Sequence, residues 1–213
     1  KTLEMVCAGM ELRRLGMASK VMYVVPNHML LQFSHEFMQA YPNAKILMAS
    51  KDDLVGDKRR ELLSRIATSD WDAVVVTHAT FERIKMSDDY MKSYIKEEIS
   101  NITMAIRQRG NAGRGNAIVK QLARAKKAWT TKLDKMKGTA KKDDMLNFED
   151  LGIDWLMVDE SHFAKNLWRF SKMDRIAGLP NTNSERAFDL FVKTRYVRDK
   201  RDDRRGTTFA SGT

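Results

Sequence analysis

Asp154-Trp155-Leu156-Met157-Val158-Asp159-Glu160-Ser161-His162 sets an unbroken apolar run against two carboxylates, a hydroxyl and an imidazole. Residues 155–158 read as a strand buried on both faces of a parallel sheet, because nothing polar alternates with the apolar side chains and polar residues bound the run at each end. The charges then fall at the carboxyl end of the strand, where the loops of an open α/β sheet line a crevice. Adjacent carboxylates at such an edge suit phosphoryl chemistry: one can hold a magnesium ion while the other orients or deprotonates an attacking water. Taken alone, the same residues also fit a strand that runs into a helix cap.

Upstream, strands alternate with helices. Residues 2–15 place Leu3, Val6, Cys7, Met10 and Leu15 at helical spacing, and Gly16 is a natural C-terminal stop. A strand over 21–25 closes at Pro26-Asn27, a helix over 29–41 stops at Pro42-Asn43, and 45–49 gives another short strand. Residues 57–68 are amphipathic through Leu62, Leu63 and Ile66, and 71–77 return as a strand. This alternation predicts right-handed βαβ units and a parallel sheet covered on both sides. Beyond the central strand, Ser184 is positioned to cap a helix to about 197 with Ala187, Phe188, Leu190, Phe191 and Val192 inside, and 207–210 reads as a last strand.

Between Phe81 and the central strand the pattern changes. From residue 88 to about 136 no strand is visible; Tyr94, Ile95, Ile99, Ile102 and Ile106 recur every three or four positions, and Gly110, Gly113 and Gly115 interrupt. This predicts a helical hairpin over 88–142 inserted into a sheet domain formed by 1–87 and 143–213. The insertion also carries the charge. Of a formal net +10 for 213 residues, residues 107–142 hold twelve Lys or Arg against the single Asp134, leaving the rest of the chain about one negative charge from neutral. So localised an excess, which includes Lys126 and Lys127, fits either a solvated helix face or a polyanion contact.

Composition excludes several classes. With 43% hydrophobic residues the chain is long enough for one substantial core. No apolar run approaches the roughly 18 residues that span a bilayer, and Lys1-Thr2-Leu3-Glu4 is no signal peptide, so a cytoplasmic location without a membrane partner is expected. A lone Cys7 leaves no internal disulfide or cysteine-based zinc cluster and is expected to pack inside its helix. Met5, Met10, Met22, Met48 and Met157 read as core packing, as does Trp155, while Trp168 fits either packing or stacking on a base.

Four segments in register carry a family resemblance. Asp159-Glu160-Ser161-His162-Phe163-Ala164-Lys165-Asn166 resembles the Walker B box of superfamily-two helicases and translocases, in its Swi/Snf-like, DEAH-like form. Val24-Val25-Pro26-Asn27-His28-Met29-Leu30 resembles motif Ia, Val75-Val76-Thr77-His78-Ala79-Thr80-Phe81-Glu82 motif Ib, and Phe209-Ala210-Ser211-Gly212-Thr213 motif III. The layout is most similar to helicase modules of phage and mobile-element proteins, often fused to a DNA methyltransferase. Lys1-Thr2 then resembles the end of a phosphate loop, so the first strand and its glycines, like the second RecA-like lobe, are expected outside this chain.

The resemblance implies an α/β, RecA-like parallel sheet with helices on both faces, the first lobe of a P-loop ATPase. ATP and Mg2+ are the implied cofactors, and DNA, double-stranded, the implied partner. Lys1 would contact the β and γ phosphates, Thr2 and Asp159 would hold the metal, and Glu160 would activate water. His162, Ser211 and Thr213 would couple nucleotide state to lobe movement, although a histidine simply satisfied in its loop accounts for His162 as well. Pro26, Asn27, His28, Thr77 and His78 would face the nucleic-acid backbone. This chain alone is expected to hydrolyse ATP poorly. Two other classes fit less of the sequence: a metal-dependent hydrolase using Asp159, Glu160 and His162 with His78 nearby, and a non-catalytic nucleic-acid-binding module built on the basic segment.

Overall fold

A computed structural model describes residues 1–110, 116–138, 146–165 and 184–212. They divide into two compact units, one of residues 1–85, 146–165 and 184–212, the other of residues 86–110 and 116–138.

The first unit is an α/β fold in which helices flank an all-parallel sheet, consistent with a RecA-like lobe. Its elements run α1 (Thr2–Arg14), β1 (Val21–Val25), α2 (Leu30–Ala40), β2 (Ile46–Ala49), α3 (Asp57–Thr68), β3 (Ala73–Thr77) and α4 (His78–Arg83). In chain order the second unit follows, with α5 (Asp88–Gly110) and α6 (Asn116–Gly138), before β4 (Trp155–Val158), α7 (Glu185–Asp199) and β5 (Thr207–Phe209) complete the first. The sheet order is β2-β3-β1-β4-β5, so β1 lies at the centre with β3 and β4 on its two sides.

Every residue of β1, β3 and β4 is buried, as unbroken apolar runs require of strands covered on both faces. On one face Val21, Tyr23, Val25, Ala73, Val75, Trp155 and Met157 meet Met5 and Val6 of α1 and Leu30, Phe33 and Phe37 of α2. The alternate residues, such as Met22, Val24, Val74, Val76, Leu156 and Val158, fill the other face, where α4 packs on β1 and α7 on β4. Asp154 fixes the register at the amino edge. Its carboxylate accepts from the Ser19 amide at 2.7 Å and the Lys20 amide at 2.9 Å, so the chain enters β1 and β4 side by side.

The expected strands and long helices are present, with informative differences. Trp71 lies outside β3, its indole donating to the Arg65 carbonyl at the end of α3. The helix expected over 29–41 begins as a single 3-10 turn, Asn27–Met29, before α2. The short α4 follows β3 without a loop, because the Thr77 hydroxyl accepts from the Thr80 amide and caps it. Cys7, expected inside, is exposed, as are Leu3 and Leu15. The buried stripe of α1 runs through Met5, Val6 and Gly9, and Cys7 lies about 100° around the helix from Val6. Met48 is exposed too, because β2 is an edge strand. The turn over 111–115, residues 139–145 and Trp168 lie outside the described residues.

Two glycines, one within α1 and one just past its end, have distinct reasons. Gly16 (φ 68°) ends the helix in a Schellman arrangement, its amide donating to Arg13 and that of Met17 to Leu12. Gly9 is mid-helix, where alanine normally stabilises by about 0.5–1 kcal/mol. Here a Cβ would stand 1.8 Å from the Tyr23 hydroxyl and 2.8 Å from its Cζ. Tyr23 is itself fully buried between Phe33 and Phe37, both rings 5.5 Å away, and its hydroxyl has no partner among the described residues. Burial pushes that phenol above the usual tyrosine range. The clash reverses the sign of the helix-propensity argument. Gly9→Ala should lower the melting temperature, whereas Tyr23→Phe should leave it level or raise it by removing an unsatisfied hydroxyl. The double variant should recover part of the loss, since the ring carbon remains too close; paired thermal melts decide it.

Candidate functional site

At the carboxyl edge of the sheet three elements converge. Asp159 follows the last residue of β4, and its amide donates to the Val24 carbonyl at 2.8 Å, so its carboxylate is delivered beside the end of β1. Glu160 then adopts the left-handed conformation (φ 49°, ψ 49°), which costs a non-glycine residue roughly 1–2 kcal/mol. That turn starts the 3-10 segment Ser161–Ala164 and lifts the Glu160 side chain out of the sheet. The Ser161 amide donates to the Ala210 carbonyl at 3.0 Å, and Ala210 donates to Val158 at 2.9 Å. The chain leaving β5 is thereby tied against the turn, and the Gly212 amide reaches Glu160 Oε2 at 3.4 Å.

The amino end of α1 faces this turn. Lys1 Nζ is 2.9 Å from Asp159 Oδ1 and also pairs with Glu160 Oε1. Glu160 holds the Lys1 ammonium above the usual lysine range, with Asp159 adding to the effect. In return Lys1, helped by the Gly212 amide, holds the Glu160 carboxyl below the usual carboxylate range. His162 Nδ1 lies 3.0 Å from Glu160 Oε2, so one carboxylate meets Lys1, Gly212 and His162.

From the β3 side, His78 opens α4 and its Nε2 lies 2.9 Å from the Asp159 carbonyl. Its ring stacks on Phe163, centroids 3.8 Å apart and planes within 14°. Burial pushes the His78 imidazole below its ordinary value of 6.5, against the hydrogen bond to Asp159. Behind it, α7 steadies α4. Lys193 is fully buried and donates to the Phe81 carbonyl and to Asp189 Oδ2, each at 2.6 Å, while its ammonium sits 4.2 Å from the Phe81 ring centroid. Desolvation pushes Lys193 below the usual lysine range, and Asp189 opposes that shift.

These groups enclose a cavity of about 420 Å³ lined by Lys1, Thr2, Pro26, His28, Met29, His78, Asp159, Glu160, His162 and Phe163. Eight of the residues expected from sequence share this space; Met29 and Phe163 were not singled out. The other expected positions stand elsewhere. Asn27 is exposed, its side-chain oxygen accepting from the Ala79 amide at 3.4 Å. Thr77 is buried, and its hydroxyl is used within α4, bonding Thr80 Oγ1 at 2.8 Å. The Ser211 hydroxyl donates to the Gly212 carbonyl at 3.3 Å, and Thr213 lies outside the described residues. Lys126 and Lys127 belong to α6 in the second unit, the first half-buried and the second exposed.

The donor set limits which cation fits. Among the described residues no three His, Cys, Asp or Glu side chains are grouped to hold a metal ion. Asp159 with the Thr2 hydroxyl at a helix start instead suits a magnesium ion, which binds through one or two carboxylates and completes its shell with water and substrate phosphate. The metal-hydrolase alternative takes Asp159, Glu160 and His162 as ligands with His78 nearby, but His162 is directed to Glu160 and His78 to the Asp159 carbonyl.

A family model described as "Probable helicase domain" matches residues 1–213. No curated protein and no solved structure matches the chain.

Two measurements probe this geometry. Lys193→Met keeps the volume but strands the Asp189 carboxylate and the Phe81 carbonyl, and should cost about 3 kcal/mol by urea denaturation. Adding Asp189→Leu should return most of it. His78 is the second probe: with its folded pKa depressed, the unfolded chain takes up the proton first as pH falls below 6.5. Stability should therefore decline on acidification through that value, and His78→Gln should flatten the decline when urea midpoints are compared across pH.

Proposed function

The chain belongs to the probable helicase domain family, and on that premise we propose that it is the ATP-binding lobe of a DNA-dependent ATPase, a DNA helicase or double-stranded-DNA translocase of the superfamily-two, Swi/Snf-like kind. One observation carries the reading. Lys1 at the start of a helix reaches both carboxylates that close β4, across a cavity large enough for a polyphosphate.

Bound Mg2+ would neutralise charge developing on the transferred phosphoryl group. The chain's own residues do the rest. The amino end of α1 carries the partial positive charge that favours phosphate, and Lys1 adds a full one. Asp159, buried and fixed by its backbone bond to Val24, is the rigid metal ligand, with the Thr2 hydroxyl as second donor. Glu160 is more exposed and stays ionised beside Lys1, as a group that orients and deprotonates water must. His162 holds Glu160 from one side and the Gly212 amide from the other, so movement of the segment after β5 is felt at the water-activating carboxylate. Ser211 and Thr213 belong to that coupling segment. His28, Pro26 and Asn27, beyond β1, and His78, beyond β3, border the same edge and are assigned to the nucleic-acid backbone, a contact that would carry no strong sequence preference. The site's nucleotide, its second RecA-like lobe and a methyltransferase neighbour belong to this proposal, as does a cytoplasmic setting in a bacterial or phage-infected cell. No helix among the described residues is long and apolar enough to cross a membrane.

In the full-length protein, Glu160→Gln should cut DNA-stimulated ATP hydrolysis by about 10²–10⁴-fold while nucleotide binding persists. Equal turnover in wild type and variant would end the assignment; a phosphate-release assay with a fluorescent-nucleotide titration reads both quantities.

A further inference from the structure

The second unit has a charge pattern that the ATP site does not use. On α6, Leu122, Ala125 and Leu133 are buried and Trp129 turns its ring edgewise to Tyr94 of α5, centroids 6.2 Å apart. At 100° per residue, Lys120, Arg124 and Lys127 occupy an arc of about 60° on the opposite side of the helix. All three are exposed, and none forms an ion pair with another described residue. Lys126 lies on a different face, and Lys132 is directed over the Trp129 ring at 5.5 Å. Among the described cations of α6, Lys120, Arg124 and Lys127 thus form a narrow exposed stripe, while Lys132 is engaged by Trp129.

We infer that the Lys120–Arg124–Lys127 stripe of α6 is a docking surface for the sugar-phosphate backbone of duplex DNA. Charge complementarity and spacing favour this occupant. The stripe extends about 10 Å along the axis, a length over which a duplex presents roughly six phosphates. Phosphate oxygens are alike at every base pair, so lysines and an arginine that pair with them carry no sequence information and the contact should be indifferent to sequence. An unpaired strand would require aromatic platforms, and the tryptophan of this helix is turned toward α5 instead. The inference rests on the nucleic-acid reading of the domain and needs nothing from the ATP site.

Fluorescence anisotropy of the chain with a labelled mixed-sequence duplex, without nucleotide and across a KCl series, tests it. Lys120→Ala/Arg124→Ala/Lys127→Ala should make the slope of log affinity against log salt shallower by about 2.7, roughly 0.9 per cation removed, and weaken low-salt binding at least about tenfold. Lys120→Arg/Lys127→Arg should preserve both. Alanine is the best helix former, so circular dichroism should show the helix intact; should the triple variant fail to fold, each single variant should still lower the slope by about 0.9. An unchanged slope in folded variants overturns the inference. So does tighter binding to the unpaired strand than to the duplex, or displacement of duplex by polyglutamate at equal charge, which would point to an acidic protein partner. Because no nucleotide is present, failure here leaves the Glu160→Gln result standing, and the reverse also holds.

Discussion

The register of β4 against β1 is the constraint on which the first unit depends. Asp154 binds the Ser19 and Lys20 amides at one end of the strand, and the Asp159 amide binds Val24 at the other. Four buried residues separate those fixed points, too few to absorb a slip. Moving β4 by one residue would turn Trp155 and Met157 away from α1 and α2 and carry Asp159 into the sheet, where an unpaired carboxylate is costly. The hydrophobic pattern that fixes the fold therefore also sets the height at which two carboxylates emerge.

What emerges is held by opposing charge. A parallel sheet with helices on its faces gathers loop ends at one edge, and here Lys1, His162 and the Gly212 amide surround Glu160 while His78 and Lys1 flank Asp159. The left-handed turn at Glu160 gives up backbone energy to aim that side chain and to start the segment whose first amide binds Ala210. Strain at one residue and convergence of neighbours on it describe the same feature, a carboxylate positioned before any ligand arrives.

Elsewhere the unit accepts imperfect packing to keep particular groups in place. Tyr23 buries its hydroxyl without a partner among the described residues, tolerable because its ring sits against Phe33 and Phe37 under a glycine that makes room for it. Lys193 buries an ammonium whose desolvation is offset by Asp189, the Phe81 carbonyl and two aromatic rings. That lysine ties α7 to the helix whose first residue is His78. An apolar residue in its place would pack as well but would not grip a carbonyl.

Much of this was legible in the sequence, because period and boundary residues are local. Residues 21–25 and 155–158 are strands with the expected limits, Gly16 ends α1, and Ser184 caps α7 through the Ala187 amide. Asp159-Glu160 could be placed at a sheet edge because an apolar run stops there. Other features depend on what lies across space. Cys7 and Met48 look like core in a one-dimensional pattern and are exposed, Cys7 because Met5, Val6 and Gly9 carry the buried stripe of α1 and Met48 because β2 is an edge strand. Thr77 reads as a polar edge residue and is used up as a cap, and nothing local to Phe163 announces that it stacks on His78. For Lys193 the local signal is a Lys four residues after an Asp on an apolar helix face. Sequence alone determined the alternation of strands and helices and the chemistry at the strand ends, since both follow from side-chain polarity at short range. Only the tertiary structure decided that Lys1 meets Asp159, 158 residues away, because that approach is set by how α1 packs on the sheet.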